Sequence, residues 1–285
     1  MINKLRSLIQ ILNSYIKRLS IQVVDVETFI NLKESVREIL ENKEKIDNRN
    51  NEIIDIINIT KDDTEIKIPE YDFKMIREKE SLYVEFEKKL DNMVYYLENN
   101  LSKYRNELKI NINRFDKDIR NMMDELNVDI LNNYNEDNYS AIFYIEDKSG
   151  RIRKLIDKKE FFIDQENKIE IEDNSDFENL ENLVYDYELK SKLWYSVREY
   201  QDMSKKWEVT QVQKIDLVEM EDFIKNWAEV GETAKIDLES QNVPLALLNN
   251  LKVFKQILPV LKTFQNPNIT EKFVEMIKEE LDIEY

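Results

Sequence analysis

Residues Tyr71–Asn127 read YDFKMIREKESLYVEFEKKLDNMVYYLENNLSKYRNELKININRFDKDIRNMMDELN, a stretch with neither glycine nor proline. Within it Phe86, Leu90, Met93, Leu97, Leu101, Tyr104, Leu108, Ile112, Phe115, Ile119, Met122 and Leu126 follow one another at steps of three and four. The series covers 40 residues in eleven steps, a mean of 3.64. That period belongs to a straight α-helix, whereas a left-handed two-stranded coiled coil holds 3.5. The stretch therefore predicts one long helix, or two nearly collinear ones, packed in a bundle. Asn99-Asn100 is the expected place for any break.

The flanks carry the same signal. Ile2, Leu5, Ile9, Leu12, Ile16 and Leu19 mark one face of an amphipathic helix over 2–20. Asp25 can cap a second helix whose apolar positions include Phe29, Leu32, Val36, Ile39, Leu40, Ile46, Ile53, Ile54 and Ile57. Thr60–Pro69 reads as a polar linker, because Pro69 stops any helix from running through it. Downstream the character changes. Tyr139, Ala141, Phe143 and Ile145 alternate, Asp147-Lys-Ser-Gly150 can turn, and apolar pairs return at Ile152–Ile156, Phe161–Ile163 and Ile169–Ile171. This predicts a small excursion of one or two β-hairpins around 139–172, with a loop as the alternative for its second half. Helices are expected again from Phe177 to Val209, from Leu217 to Leu238 and from Pro244. Pro259 should kink or end the third of these, and Thr270 can cap a last helix to Leu281. The predicted fold class is mainly α, in elongated helical bundles. The divisions are a helical tail bundle over 1–129, an acidic connection over 130–176 and a further helical domain over 177–285.

Composition narrows the function. Two glycines and four prolines in 285 residues are far too few for the tight turns of sandwiches, barrels or doubly wound sheets. A net charge of −17 argues against a nucleic-acid partner, whose affinity would come from Lys and Arg. Residues 1–24 hold Lys4, Arg6, Lys17 and Arg18 and no acid, which reads as a solvated helix face. Gln10, Asn13 and Lys17 interrupt any signal-peptide core, and no window is apolar enough to span a membrane. Without His or Cys, catalytic triads, thiolate nucleophiles and the common zinc sites are excluded. Gly150 and Gly231 stand too far apart for a phosphate-binding loop or a dinucleotide fingerprint. Asp62-Asp63 and Glu170-x-Glu172-Asp173 could in principle hold a metal. In a chain with 59 acids they read as solvated surface. No catalytic, cofactor-binding or metal-binding residue is assigned, and the chain is expected not to be an enzyme. Trp194 and Trp207, thirteen apart, lie about 140° apart around a helix and are expected to anchor two packing surfaces. An exposed aromatic anchor for a partner is the functional alternative.

Lys192-Leu193-Trp194, Trp207 and Trp227, then Leu251-x-x-Phe254-x-x-x-Leu258-Pro259-x-Leu261, and finally Asn266-Pro267 resemble the start of the linker region of dynein heavy chains. Upstream, Asp25-Val26, Leu32, Arg37 and Glu44-Lys45-Ile46 are similar to a tail helix of that family, and 71–127 takes the place of the tail helices after it. The tryptophan-rich region looks closer to axonemal than to cytoplasmic members. Lys272, Phe273 and Val274 stand where the family usually has Arg-His-Trp after the Asn-Pro motif. The stretch 130–176 replaces the family's Gly-Pro-containing connection. The resemblance implies an ATP-driven, minus-end-directed microtubule motor, with ATP and magnesium bound in an AAA+ ring and none in this chain. It implies a linker that swings across that ring, and a tail that binds intermediate or light chains and other heavy chains. The implied location is the cytoskeleton, in the axoneme of a cilium or flagellum or else in the cytoplasm. The alternatives are an independent helical scaffold or adaptor of the cilium or cytoskeleton and, third, a carboxylate-metal enzyme.

Overall fold

The computed structural model describes residues 2–62, 69–173 and 175–266. Its helices are α1 (Ile2–Leu19), α2 (Val26–Asp62), α3 (Glu70–Leu126), α4 (Asp129–Asn132), α5 (Asn138–Lys168), α6 (Glu178–Glu208), α7 (Leu217–Asp237) and α8 (Asn242–Phe264), with a short 3-10 turn at Val212–Lys214. Among the described residues there is no strand. The chain divides into two compact units, the first from Met1–Arg114 and Glu160–Asp176, the second from Phe115–Lys159 and Phe177–Tyr285, so α3 and α5 contribute to both.

In unit 1 the periodic apolar faces of α1, α2 and α3 meet in one aliphatic core that includes Leu5, Leu12, Leu32, Ile39, Ile46 and Leu90. Asp25 does cap α2. Its carboxylate accepts the Thr28 amide at 2.8 Å while the Thr28 hydroxyl accepts the Asp25 amide at 3.1 Å, a reciprocal capping box. The Thr28 hydroxyl and amide hold the Asp25 carboxyl below its ordinary range. The basic face of α1 is drawn to α2, where Lys4 pairs with Glu52 and Arg18 forks onto Glu38. Such exposed pairs contribute little, because water and salt screen them. The core carries an ionic clasp at one edge: Lys43 donates to Asp47 at 2.6 Å and to Glu87 at 3.0 Å, and the Tyr83 hydroxyl donates to Asp47 at 2.6 Å. Burial pushes Lys43 down, but its bonds to Asp47, Glu87 and Tyr83 outweigh that and leave it above its ordinary value. Burial and the bond to Asp47 push the Tyr83 phenol up to about 12.

Helix α3 runs through Asn99-Asn100 without a break. Each side-chain amide folds back on the carbonyl four residues earlier, Asn99 on Tyr95 at 2.7 Å and Asn100 on Tyr96 at 2.8 Å, sharing that acceptor with the helix's own ladder without breaking it. Of the linker expected over Thr60–Pro69, Thr60 belongs to α2 and Pro69 offers its carbonyl to the amides of Asp72 and Phe73 at the start of α3. Residues 63–68 lie outside the described residues. The expected helix at Thr270–Leu281 and the Asn266-Pro267 junction likewise fall beyond or at their edge.

The β-hairpins expected around 139–172 are replaced by helix α5. The apolar alternation extends over only four positions, and it splits across the helix: Ala141 and Ile145 are buried while Tyr139 and Phe143 are exposed. The inward face steps through 138, 141, 145, 148, 152, 155, 159, 162, 166 and 169 at intervals of three and four. Four of those positions are Asn138, Lys148, Lys159 and Glu166, so a hydrophobicity pattern misses the period. Gly150 makes no turn; it sits mid-helix with open space where a Cβ would stand. A capping Asp137 accepts both the amide and the hydroxyl of Ser140. The far end of α5 closes in a Schellman turn, with Ile171 donating to the Glu166 carbonyl and Glu170 at φ 57°. Arg105 donates to the carbonyls of Ile169 and Glu170, and Lys33 to that of Lys168, offsetting the strain of a non-glycine residue there.

The expectation for Pro259 is corrected in part, since α8 continues past it to Phe264. Pro259 is exposed and only five residues from the helix end, so the carbonyl it leaves unpaired can turn to water.

Candidate functional site

A cluster of aromatic rings lies in unit 2, where α6, α7 and α8 pack together. Trp194 is fully buried, and its indole N–H donates to the Leu131 carbonyl of α4 at 3.1 Å. Thirteen residues on, Trp207 faces another surface. It lies 6.0 Å from Trp227 of α7 and 5.6 Å from Phe254 of α8, ring centre to ring centre. Tyr200 meets both Trp227 and Phe254 edge-on, and Phe223 stacks on Trp227 at 5.2 Å. Aromatic pairs at such spacings add about 0.5–1.5 kcal/mol beyond their buried area. The Trp227 indole N–H donates to the Glu199 carboxylate at 2.8 Å, so each of these two buried indoles has its one polar group satisfied. The two packing surfaces expected of Trp194 and Trp207 are thus present, and all three tryptophans are buried.

Two latches close this junction. Gln265, just past α8, donates to the carbonyls of Val212 and Ile215 at 2.6 and 2.7 Å. Asp216 caps α7 by accepting the amides of Val218 and Glu219. At Gly231 α7 lies close against α8, since a Cβ there would stand 3.0 Å from two side-chain carbons of Leu248. A glycine inside a helical pattern in a chain with only two is the sequence signal for such an approach.

The C-terminus of α3 ends against the same unit. The Lys190 ammonium, almost wholly buried, donates to the Leu126 carbonyl at 2.6 Å, where a helix end favours positive charge. It lines a cavity of about 350 Å³ with Asp186, Glu239, Arg120 and Asp124. Burial pushes Lys190 down, with Asp186 and Glu239 opposing, and burial pushes the Asp186 carboxyl up against the pull of Lys190. Both shifts disfavour the charged forms.

Glu170 is exposed and paired with Lys33, Glu172 and Asp173 are exposed, and Asp63 lies outside the described residues. Among the described residues no group of three acids is placed to hold a metal ion. The resemblance-bearing Leu251 and Leu258 are buried in α8, and Val26, Leu32 and Ile46 are buried in α2. Glu199, Lys190 and Gln265 carried no mark in the sequence, because their partners lie far along the chain. The aromatic rings and the Gln265 latch fix three helices to one another. No helix among the described residues is long and apolar enough to cross a membrane.

No curated protein matches the chain. Residues 180–285, beginning in the first turn of α6 and carrying the aromatic junction, match the family model of the dynein heavy chain, N-terminal region 2, which supports a relation of this segment to the dynein heavy chains.

Proposed function

We propose that this chain is the tail-to-linker segment of a dynein heavy chain and is itself non-catalytic. The observation that carries the reading is the family match over 180–285, together with the burial of Trp194, Trp207 and Trp227, on which the resemblance rests. On this reading residues 1–129 are tail, 130–176 a connection, and 177–285 the first helices of a linker. That linker transmits force from an ATP-driven AAA+ ring to the tail and its associated chains. A junction of three helices pinned by aromatic rings suits an element that must pass load without yielding, because packed interiors deform little. Nucleotide and magnesium belong to the ring, and the setting is the cytoskeleton, with an axoneme as the finer placement.

The test is the length of the native polypeptide. Antibodies raised against 1–285 should capture a product whose tryptic peptides continue past Tyr285 into a glycine-rich phosphate loop and AAA+ modules. A mature product ending at Tyr285 overturns the motor reading and leaves a helical adaptor.

A further inference from the structure

The end of α8 is held differently from the rest of that helix. Before Pro259 it buries Val243, Pro244, Leu247, Leu248, Leu251 and Leu258. Over 259–266 no side chain is buried. Proline has no amide to give the carbonyl four residues earlier, so the ladder lacks a rung at the point where the buried face stops. Polar ties reach across from the stretch beyond it. The Lys262 ammonium donates to Glu221 of α7 at 2.6 Å, an exposed pair. The Gln265 side-chain amide donates to the carbonyls of Val212 and Ile215 at 2.6 and 2.7 Å. It carries two N–H donors, so one glutamine serves both carbonyls. The Val212 carbonyl also accepts the Ile215 amide, at a long 3.3 Å, in the 3-10 turn where Lys214 donates to Gln211.

We propose that residues 259–266 are a hinged strap: the stretch swings about Pro259, and Gln265 lets go of the α6–α7 connection, or grips it again, as it does so. The missing rung puts the hinge at Pro259, and the buried face of α8 ends one residue before it, at Leu258. Opening therefore uncovers no buried side chain of α8. It gives up the Gln265 bonds and a screened ion pair, which is little beside unfolding the unit. A freely fraying helix end would be loosest at its tip. Here the tip is hooked, while Val260 and Thr263 between hinge and hook are exposed. A single turn parted from its helix does not keep its own hydrogen bonds, so the amides of 260–265 open together. The carbonyls of Val212 and Ile215 lose Gln265 in the same event. A displacement of the chain beyond Asn266 thus reaches the α6–α7 connection through one side chain. The inference does not depend on the motor reading.

Amide hydrogen exchange of the full chain, resolved to single residues by NMR, tests this. The amides of 260–265 should exchange at one common rate, ~100-fold or more faster than those of 247–251, with the step at Pro259. Gln265→Met keeps the side-chain length and removes the donors. It should speed exchange at Lys214 and Ile215 as well as at 260–265, by ~10-fold. Pro259→Ala restores the rung and touches neither carbonyl, yet it should slow both groups by ~10-fold. Neither position is buried, and circular dichroism would confirm that each variant folds. Exchange graded residue by residue from the end of α8 is simple fraying and overturns the strap. So does Gln265→Met that leaves Lys214 and Ile215 unchanged, or Pro259→Ala that slows 260–265 without slowing them.

Discussion

Unit 1 and unit 2 each bury a lysine, and the two burials are not alike. Lys79 in unit 1 is 2% exposed, and its ammonium donates to the Asn50 amide oxygen at 2.9 Å. Lys190 in unit 2 donates to the last carbonyl of α3 and has Asp186 and Glu239 nearby. Burial pushes both below the ordinary lysine value. Yet Lys190 completes a helix end that would otherwise be left bare, whereas the Lys79 ammonium bonds to a neutral amide, with the charge of neighbouring Glu80 as its support. The same residue type therefore supports the fold in one unit and burdens it in the other. What decides the sign is the partner left behind when the lysine goes.

Removing Trp227 tests how far unit 2 depends on its aromatic junction. Trp227→Ala deletes the ring shared by Tyr200, Trp207 and Phe223 and should cost about 3–5 kcal/mol, read by urea unfolding. Next, Lys190→Met leaves the Leu126 carbonyl unpaired and Asp186 without its cation, and should cost about 3 kcal/mol. The mirror experiment replaces both halves of the other pair. Lys79→Met with Asn50→Leu should stabilise by about 1 kcal/mol at neutral pH. Because the folded pKa of Lys79 is lowered, the unfolded chain binds more protons between that value and 10.5. The lysine's penalty is complete below the folded value and gone above 10.5, so the gain from the double variant should fade as pH rises through that window. Equal costs for Lys190→Met and Lys79→Met would erase the contrast.

Glycines sharpen it on a smaller scale. Gly150→Ala meets open space in mid-helix and should stabilise by about 0.5–1 kcal/mol, whereas Gly231→Ala pushes on Leu248 and should forfeit that gain. Smallest is Glu170→Gly, which relieves a left-handed backbone but gives up the exposed pair with Lys33. A net gain of a few tenths of a kcal/mol is expected in thermal melts.

Where side chains alone set the period, the sequence was readable. The twelve positions from Phe86 to Leu126 anticipated α3, and Asp25 anticipated a cap. It failed at α5, whose inward face places Asn138, Lys148, Lys159 and Glu166 at four of ten steps. Those residues are accepted inside because polar or aromatic groups meet them, several from outside α5. Glu166 takes the amide and hydroxyl of Ser175, and Lys148 rests on the Tyr144 ring beside Glu125. Of the candidate site, the tryptophans stood out as rare, bulky anchors. Their partners, the Leu131 carbonyl and Glu199, could not, since backbone carbonyls look alike and the chain has 59 acids.

The placement of the tryptophans has an optical consequence. All three belong to unit 2, whereas tyrosines such as Tyr15, Tyr83 and Tyr104 occupy unit 1. Excited at the red edge, where tyrosine does not absorb, the protein emits from unit 2 alone and unit 1 is dark. An unlabelled sample therefore carries its own reporter of one half. Comparing its emission with far-ultraviolet ellipticity, which counts helix everywhere, would separate the melting of the two units without a single substitution.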